Sequence, residues 1–435
     1  MTSPHSIRLP DPTRDSAVDL VRAGCVIAVI LLHSLMVGVT VTAQGPVFEN
    51  AGDSGWWLTP VSWLLQVMPL FFVIGGFSGS IALRRGRERG DDGIRFAVGR
   101  LHRLLRPALV AVAVVGVLLA VLERCGVPAE LVATAGYRFG QPLWFLGVFL
   151  LCQALLPVML RLHDVRPVAT VSALSGAAVL VDVIRAATGA DGVGFANLAF
   201  VWLALQQVGF FLADGRIDAL GRRTRSVVLA TAVLALMGSF VLGVHSPDLI
   251  ANINPPTTAL LLVGIAHTAA FSLLRTRIAS FARRPRPAAF TAFLSRRTMT
   301  VYLWHMPVLL AMAGVLALWA LATGSSLPAP ASPEWWAGRP IWLVIVFTAT
   351  AALSLPLARV EGKRIPLASP APAVIISAVL IALAAVLLLL VHGTTPLTAV
   401  LAVAGWLLAL RMVRPEAPRI AGAAQEHTAA TLVAA

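Results

Sequence analysis

The sequence predicts an all-α integral membrane protein, a polytopic bundle of ten to twelve transmembrane helices. Of its 435 residues, 58% are hydrophobic and only 12% are charged, and the mean hydropathy is +0.84. Soluble domains carry about a quarter charged residues, so this composition favours a bilayer setting. The apolar residues also form long runs, and only helices pair every backbone polar group within such runs in lipid.

Twelve apolar stretches follow one another along the chain, and several reach the roughly 20 residues that cross the hydrocarbon core. The twelfth is the shortest, so a re-entrant segment is an alternative reading for it. The expected bounds are 18–42, 58–83, 107–123, 142–160, 168–187, 195–213, 226–244, 257–274, 299–322, 341–358, 373–391 and 396–410.

The basic residues predict the orientation. With the N-terminus in the cytoplasm, the inner segments hold 30 of the 34 Lys and Arg residues and the outer loops hold 4. This asymmetry is the positive-inside bias, so both termini are expected to be cytoplasmic. The net charge of +14 then faces anionic membrane lipids, which explains it without nucleic-acid binding.

The chain divides into four predicted segments. A polar N-terminus (1–15) and an Ala-rich tail (413–435) are expected to be disordered on the cytoplasmic side, and ten spans (16–360) precede two further spans (361–412). The three cysteines show neither a disulfide framework nor metal-ligand spacing, so no metal is expected. They are Cys25, Cys125 and Cys152.

The first candidate constellation is Asp19, Arg22 and His33 in the first span. Arg22 and His33 are eleven residues apart, close to three helical turns, so they share a face with about 16 Å between them along the axis. This places Arg22 at a membrane surface and His33 near mid-bilayer. An ionisable group at that depth is a functional-site hypothesis, whereas Asp19 and Arg22 alone also fit an interfacial ion pair.

A second constellation is the basic stretch before the third span. Arg100, Arg103 and Arg106 recur every three residues, and Pro107 suits the first turn of that span. Guanidinium groups in this arrangement fit a polyphosphate. Binding of lipid headgroups by an amphipathic segment is the alternative.

Three further motifs lie inside spans. Gly75, Gly76 and Gly79 permit close approach of a helix or a ligand chain, with helix packing favoured. Trp144 opens the fourth span, where an interfacial aromatic belt also explains a tryptophan.

Tyr302 and His305 lie one turn apart in the ninth span, just beyond two arginines. His305 is therefore expected roughly 9–10 Å inside the cytoplasmic edge.

Together the motifs resemble the acyltransferase 3 family of bacterial integral-membrane O-acyltransferases. The resemblance spans residues 14 to about 360, so 16–360 is the expected acyltransferase domain. Many members carry serine where this chain has Gly75. The ordered set is Asp19-Leu-Val-Arg22 with ten residues before His33, Pro69-Leu-Phe-Phe followed by Gly76-Phe77, Arg103-Leu-Leu-Arg106-Pro107, Leu143-Trp144-Phe145-Leu146 and Tyr302-Leu-Trp304-His305.

The resemblance implies transfer of an acyl group, commonly acetyl, in the bacterial cytoplasmic membrane. The donor is cytoplasmic acyl-CoA, a co-substrate, and the acceptor is a hydroxyl of a saccharide, lipid or small natural product. His33, Arg22 and Asp19 are the expected catalytic residues. The residues assigned to donor binding are Arg100, Arg103, Arg106, Gly75, Gly76, Trp144, Tyr302 and His305.

An acyl transfer needs a base for the acceptor hydroxyl, and a histidine suits that task. His33 is equally suited to act as a covalent acyl relay, and both routes stay open. Arg22 is expected to hold donor phosphate or to balance oxyanion charge.

Other function classes remain. A proton-coupled exporter or channel also uses buried histidines above an arginine-lined mouth, and a catalytically inactive lipid- or saccharide-binding protein is a third possibility. Coenzyme A binding separates the enzyme from both.

Overall fold

The computed structural model describes residues 15–53, 55, 57–361 and 369–414. The terminal segments expected to be disordered fall almost entirely outside these residues. The described part of the chain contains fifteen α-helices and one β-hairpin. They are α1 (Ser16–Met36), β1 (Val37–Thr42), β2 (Gly45–Asn50), α2 (Leu58–Leu65), α3 (Met68–Glu88), α4 (Gly93–Arg124), α5 (Ala129–Gly140), α6 (Leu143–Val165), α7 (Pro167–Thr188), α8 (Asn197–Ala213), α9 (Arg222–Val241), α10 (Ala259–Ala282), α11 (Pro285–Ser295), α12 (Thr298–Thr323), α13 (Pro333–Glu361), α14 (Pro372–His392) and α15 (Pro396–Met412).

The predicted helical membrane fold is confirmed. Eleven helical stretches in the described residues are long and apolar enough to cross a membrane, and α15 is a shorter apolar helix. Successive spans alternate in direction, so the β-hairpin lies at one end of the bundle. We call this end the hairpin side and the end at which α1 begins the arginine side, because Arg22 lies near it.

The first span is shorter than predicted. Asp15 caps α1 by accepting hydrogen bonds from the backbone N–H groups of Ala17 and Val18, and the helix ends at Met36 rather than continuing to residue 42. Residues 37–42 read Val-Gly-Val-Thr-Val-Thr, and this β-branched run pairs antiparallel with 45–50. Branched side chains favour a pleated strand. Because the run 18–42 is mainly apolar, hydropathy alone did not indicate the change from helix to strand at Val37.

Two other breaks differ from the expected spans. The second span consists of α2 and α3, which meet at Gln66 and Val67 just before Pro69. Pro107 does not start a helix, because α4 begins at Gly93 and runs through it. A proline has no N–H, so the carbonyl of Arg103 loses its usual helical partner.

Close packing fixes the centre of the bundle. At Gly76 of α3, an added Cβ would lie 2.3 Å from the carbonyl oxygen of Gln206, and at Gly209 of α8 it would lie 2.1 Å from that of Val73. The backbones of α3 and α8 therefore touch where neither has a side chain. In contrast, few residues of α7 and α9 are buried, which suits lipid-facing helices.

The short helix α11 sets the depth of α12. The hydroxyl of Ser16 lies 3.5 Å from the carbonyl oxygen of Ala279, so α1 begins level with the end of α10. From there α11 runs beside α1 as far as Ile27 and Ile30. Its 11 residues rise about 16 Å, and α12 therefore starts well inside the bundle.

Candidate functional site

Two histidines meet at the centre of the candidate site. Nε2 of His305 lies 3.1 Å from Nδ1 of His33, and the ring centroids are 5.0 Å apart. His305 is fully buried, whereas His33 is partly exposed. The sequence singled out both residues, and the structure brings them into direct contact.

The hydrogen-bond chain determines which nitrogen of His33 is available. Nδ1 of His305 contacts the carbonyl oxygen of Tyr302, which only accepts, so this nitrogen donates. Nε2 of neutral His305 is then an acceptor, and Nδ1 of His33 donates to it. The remaining lone pair of neutral His33 then lies on Nε2. The His33 ring also makes a hydrogen bond with the backbone of Val29, one turn earlier in α1.

The two histidines lie at different distances from the starts of their helices. His33 is in the last turn of α1, about 25 Å from its start. His305 is only about 10 Å from the start of α12. The rise of α11 supplies the difference, so the two residues meet at one level of the bundle. Their expected depths in the bilayer stay predictions.

A cavity of about 100 Å³ opens beside His33. Trp144 and Tyr302 line it, as do Ile250 and Ile253 from the loop before α10. The hydroxyl of buried Tyr302 donates to the carbonyl oxygen of Pro142, which pins α12 to the start of α6. The sequence-predicted residues Trp144 and Tyr302 therefore border the histidine pair.

A second cavity, of about 40 Å³, reaches His33 from beneath the β-hairpin. Its polar lining comes from Glu49 of β2, Arg138 of α5 and Gln141 before α6. These three side chains make neither hydrogen bonds nor ion pairs with other residues in the described ranges. Sequence reasoning missed them, although Arg138 is one of the four basic residues in the predicted outer loops.

Arg22 lies on the same helix, about 16 Å from His33 towards the arginine side. Its guanidinium donates to the hydroxyl of Ser78 at 2.6 Å and pairs with Asp19 at 3.6 Å. Both charged side chains are largely buried. The structure therefore keeps Asp19 and Arg22 together, but neither touches the histidine pair.

The arginines of α4 face different neighbours. Arg100 lies within electrostatic range of Arg22 and Arg103, whereas Arg106 faces Arg414 at the end of α15. A step of three residues turns a helix by about 300°, so the third arginine has rotated away from the first. Arg100 and Arg103 have no carboxylate within 4 Å among the described residues.

Between the arginines and His33 lies a narrow apolar cavity of about 20 Å³. Cys25 and Val26 border it on α1, Phe71 on α3 and Met299 on α12. It lies along α1 between Arg22 and His33, so the side chains that separate the two parts of the candidate site are mainly apolar.

Ion pairs hold the start of α1 in place. Asp15 pairs with Arg275, which also contacts Asp218. Burial raises the pKa of Asp15, but the Arg275 guanidinium and the capping N–H groups outweigh burial and hold that pKa below its ordinary value. This ion pair anchors the helix that carries Arg22 and His33.

A comparison with models of protein families shows which family the chain belongs to. The model described as an acyltransferase domain, acyltransferase 3, matches residues 15–359. The chain belongs to the acyltransferase 3 family. It is thus a multi-pass membrane acyltransferase, and the matched region takes in both histidines and all the arginines discussed above except Arg414. The same comparison with curated proteins and with solved structures finds no match.

The resemblance noted from the sequence carries a serine where this chain has Gly75. Gly75 takes the place of that serine, but Ser78 lies one turn further along α3 and receives the hydrogen bond from Arg22. Sequence reasoning missed Ser78. The only signal for it was its i+3 position relative to Gly75, which places both on one face of the helix.

The glycines of this acyltransferase are packed against protein. An added Cβ at Gly75 would approach Phe149, and one at Gly79 would meet Leu156, both on α6. Together with the contact of Gly76 with α8, this accounts for the small side chains by helix packing. Their assignment to donor binding stays a prediction.

Proposed function

We propose that this protein moves an acyl group from acyl-CoA, held at the arginine side, to a hydroxyl acceptor that enters from the hairpin side. The observation that supports this most strongly is the position of the His33 ring. It borders two cavities at the hairpin end of α1, while Arg22 and the α4 arginines lie at the opposite end.

The histidine pair suits either route of acyl transfer. As a base, Nε2 of His33 takes the proton of the acceptor hydroxyl, whose oxygen attacks the thioester carbonyl; the C–S bond breaks and the CoA thiolate leaves with that proton. As a relay, Nε2 attacks the thioester carbonyl, the C–S bond breaks and the CoA thiolate leaves. The acceptor oxygen then attacks the acyl carbon, the C–N bond breaks, and the hydroxyl proton passes to the thiolate. In both routes His305 holds the Nδ1 proton of His33 and stabilises the imidazolium.

The donor arrangement follows from charge. Arg100 and Arg103 present guanidinium groups without carboxylate partners in the described ranges, and such groups pair readily with phosphate oxygens. The pantetheine arm of CoA is long, thin and uncharged, so apolar side chains can separate to admit it without leaving a charge unpaired. We propose that it threads past Cys25, Val26 and Phe71 and delivers the thioester to His33.

The acceptor side is the more open one. Glu49, Arg138 and Gln141 offer hydrogen-bond acceptors and donors to a polar molecule above His33. With the hairpin side facing outward, as the basic residues predict, the acceptor reaches His33 without crossing the membrane. Acyl-CoA stays in the cytoplasm throughout.

The test uses purified protein in nanodiscs, [¹⁴C]acetyl-CoA and an extract of producing cells as the acceptor source. We expect His33→Ala to lose transfer and CoA release while keeping its folding and donor binding. His392→Ala, which changes an exposed histidine at the end of α14, is the matched control and should behave as wild type. Comparable activity in the two variants would overturn the proposal.

A further inference from the structure

Arg339 in α13 is a buried cation beside the end of α1. Its side chain is only 8% exposed, and no carboxylate lies within 4 Å of it in the described part of the chain. It is one of the four basic residues in the predicted outer loops, where positive charge is otherwise sparse. An unpaired charge in such a place is costly to bury, so it calls for an explanation.

Two aromatic faces enclose the guanidinium. Its Cζ atom lies 3.6 Å from the ring centroid of Trp335 and 4.9 Å from that of Trp342. Trp335 packs in turn against Leu32 and Leu35 of α1. Stacking on indole rings favours the planar guanidinium over an ammonium group and fixes the plane in which it lies.

The same guanidinium points at the helix that carries His33. Nη1 lies 3.4 Å from the carbonyl oxygens of Ser34 and Val37. The last carbonyls of a helix lack intrahelical partners and carry partial negative charge. Because α1 ends in an extended residue rather than a left-handed glycine, Arg339 performs the capping that the backbone does not.

We infer that Arg339 is a positioning residue that holds the last turn of α1, and therefore His33, in register for acyl transfer. The inference rests on the proposed role of His33. A helix end without a cap frays, and a reacting group displaced by about 1 Å loses roughly 100-fold in rate. Contact with substrate is not part of this role.

The test compares Arg339→Ala and Arg339→Lys with Arg124→Ala, which removes an exposed arginine at the hairpin end of α4. We expect kcat for CoA release in nanodiscs, with acetyl-CoA and cell extract, to fall about 100-fold in R339A and about 10-fold in R339K. The KM for acetyl-CoA should stay within two- to three-fold, and R124A should match wild type.

Added methylguanidinium should restore part of the R339A rate, since it can occupy the space between the two indoles. If R339A does not fold, R339K, which keeps the charge, tests the positioning role by its kcat. Normal kcat in R339K and R339A, or an equal change in KM, would overturn the inference. If His33→Ala is active in the same assay, the proposed function fails instead.

Discussion

Two polar regions of this bundle, one around His163 and one around His33 and His305, differ in how far the hydrogen bonds of their histidines are satisfied. On the arginine side, Nδ1 of His163 lies 2.9 Å from Oε1 of Gln207 and Nε2 lies 3.1 Å from Oδ2 of Asp214. Each ring nitrogen of His163 therefore has a side-chain partner. His33 has a side-chain partner, His305, on one ring nitrogen only.

The arginines repeat this contrast. Arg84 contacts Asp214 at 2.7 Å and Asp164 at 3.2 Å, while Arg100 and Arg103 have no carboxylate partner within the described ranges. Saturated groups hold α3, α6 and α8 together. Groups that keep free donors and acceptors can serve a ligand, and burial alone does not separate the two kinds.

The largest expected effect is the difference between the two histidines. His33→Ala should reduce acyl transfer by at least 10²–10⁴-fold, the usual loss for a general base. His163→Gln should leave kcat of the folded protein unchanged and lower its stability. Rates of purified variants, normalised to folded protein by size-exclusion chromatography, provide the measurement. Equal losses of kcat would remove the distinction between the clusters.

The second prediction sharpens the role of His305. His305→Phe keeps an aromatic ring but removes the acceptor for the Nδ1 proton of His33, so the tautomer with a free Nε2 is no longer held. We expect kcat to fall about 10- to 100-fold with donor affinity unchanged. Steady-state kinetics with varied acetyl-CoA measures both quantities. A change confined to KM would instead assign His305 to donor binding.

The third prediction concerns the arginines. Arg103→Ala should weaken acetyl-CoA binding by roughly 10- to 100-fold, because a charge-assisted contact to phosphate contributes about 1.5–3 kcal/mol. Arg84→Ala, the matched loss of an arginine at the same side of the membrane, should leave donor affinity unchanged and reduce stability. Titration at fixed salt compares the two. Unchanged affinity of R103A for acetyl-CoA would favour the alternative, in which the basic stretch of α4 binds lipid headgroups.

The smallest expected effect is on stability and its pH dependence. Burial raises the pKa of Asp214, but hydrogen bonds from Arg84 and His163 outweigh burial and hold that pKa below its ordinary value. A depressed carboxyl pKa stabilises the fold above the unfolded value of about 3.9 and loses this contribution as pH falls through the folded value. Asp214→Asn should therefore cost about 1.5–3 kcal/mol at neutral pH.

The difference in unfolding free energy in SDS between wild type and Asp214→Asn should narrow only below about pH 4. A difference that is constant down to pH 3 would mean that the charge of Asp214 contributes nothing. Asp191→Asn is the control, since that carboxylate is 81% exposed and its removal should change stability very little.

The spans were predictable because hydropathy is a local property of the sequence. The exceptions are segments whose conformation or position depends on tertiary contacts. The strand after Met36 needs its partner at 45–50, and the depth of α12 depends on α11, which is too short to register as a span. The position of α11 is also what brings His305 of α12 to the level of His33.

The sequence singled out several residues of the candidate site but not their arrangement. His33, Tyr302 and His305 were singled out by depth and motif, whereas their contact depends on how α1 and α12 pack. Arg138 and Arg339 were missed, although basic residues in the outer loops are rare enough to have marked them. Ser78 gave a weaker signal, because serine is common at helix contacts.

The central claim is that donor and acceptor reach the histidine pair from opposite sides. Cysteine labelling tests it most directly, with Glu49→Cys and Arg103→Cys placed singly in a chain whose Cys25, Cys125 and Cys152 are replaced. A membrane-impermeant maleimide added to intact cells should label position 49 and not position 103. Position 103 should react only after permeabilisation and be protected by coenzyme A. Labelling of position 103 in intact cells, or of both positions from one side, would contradict the account.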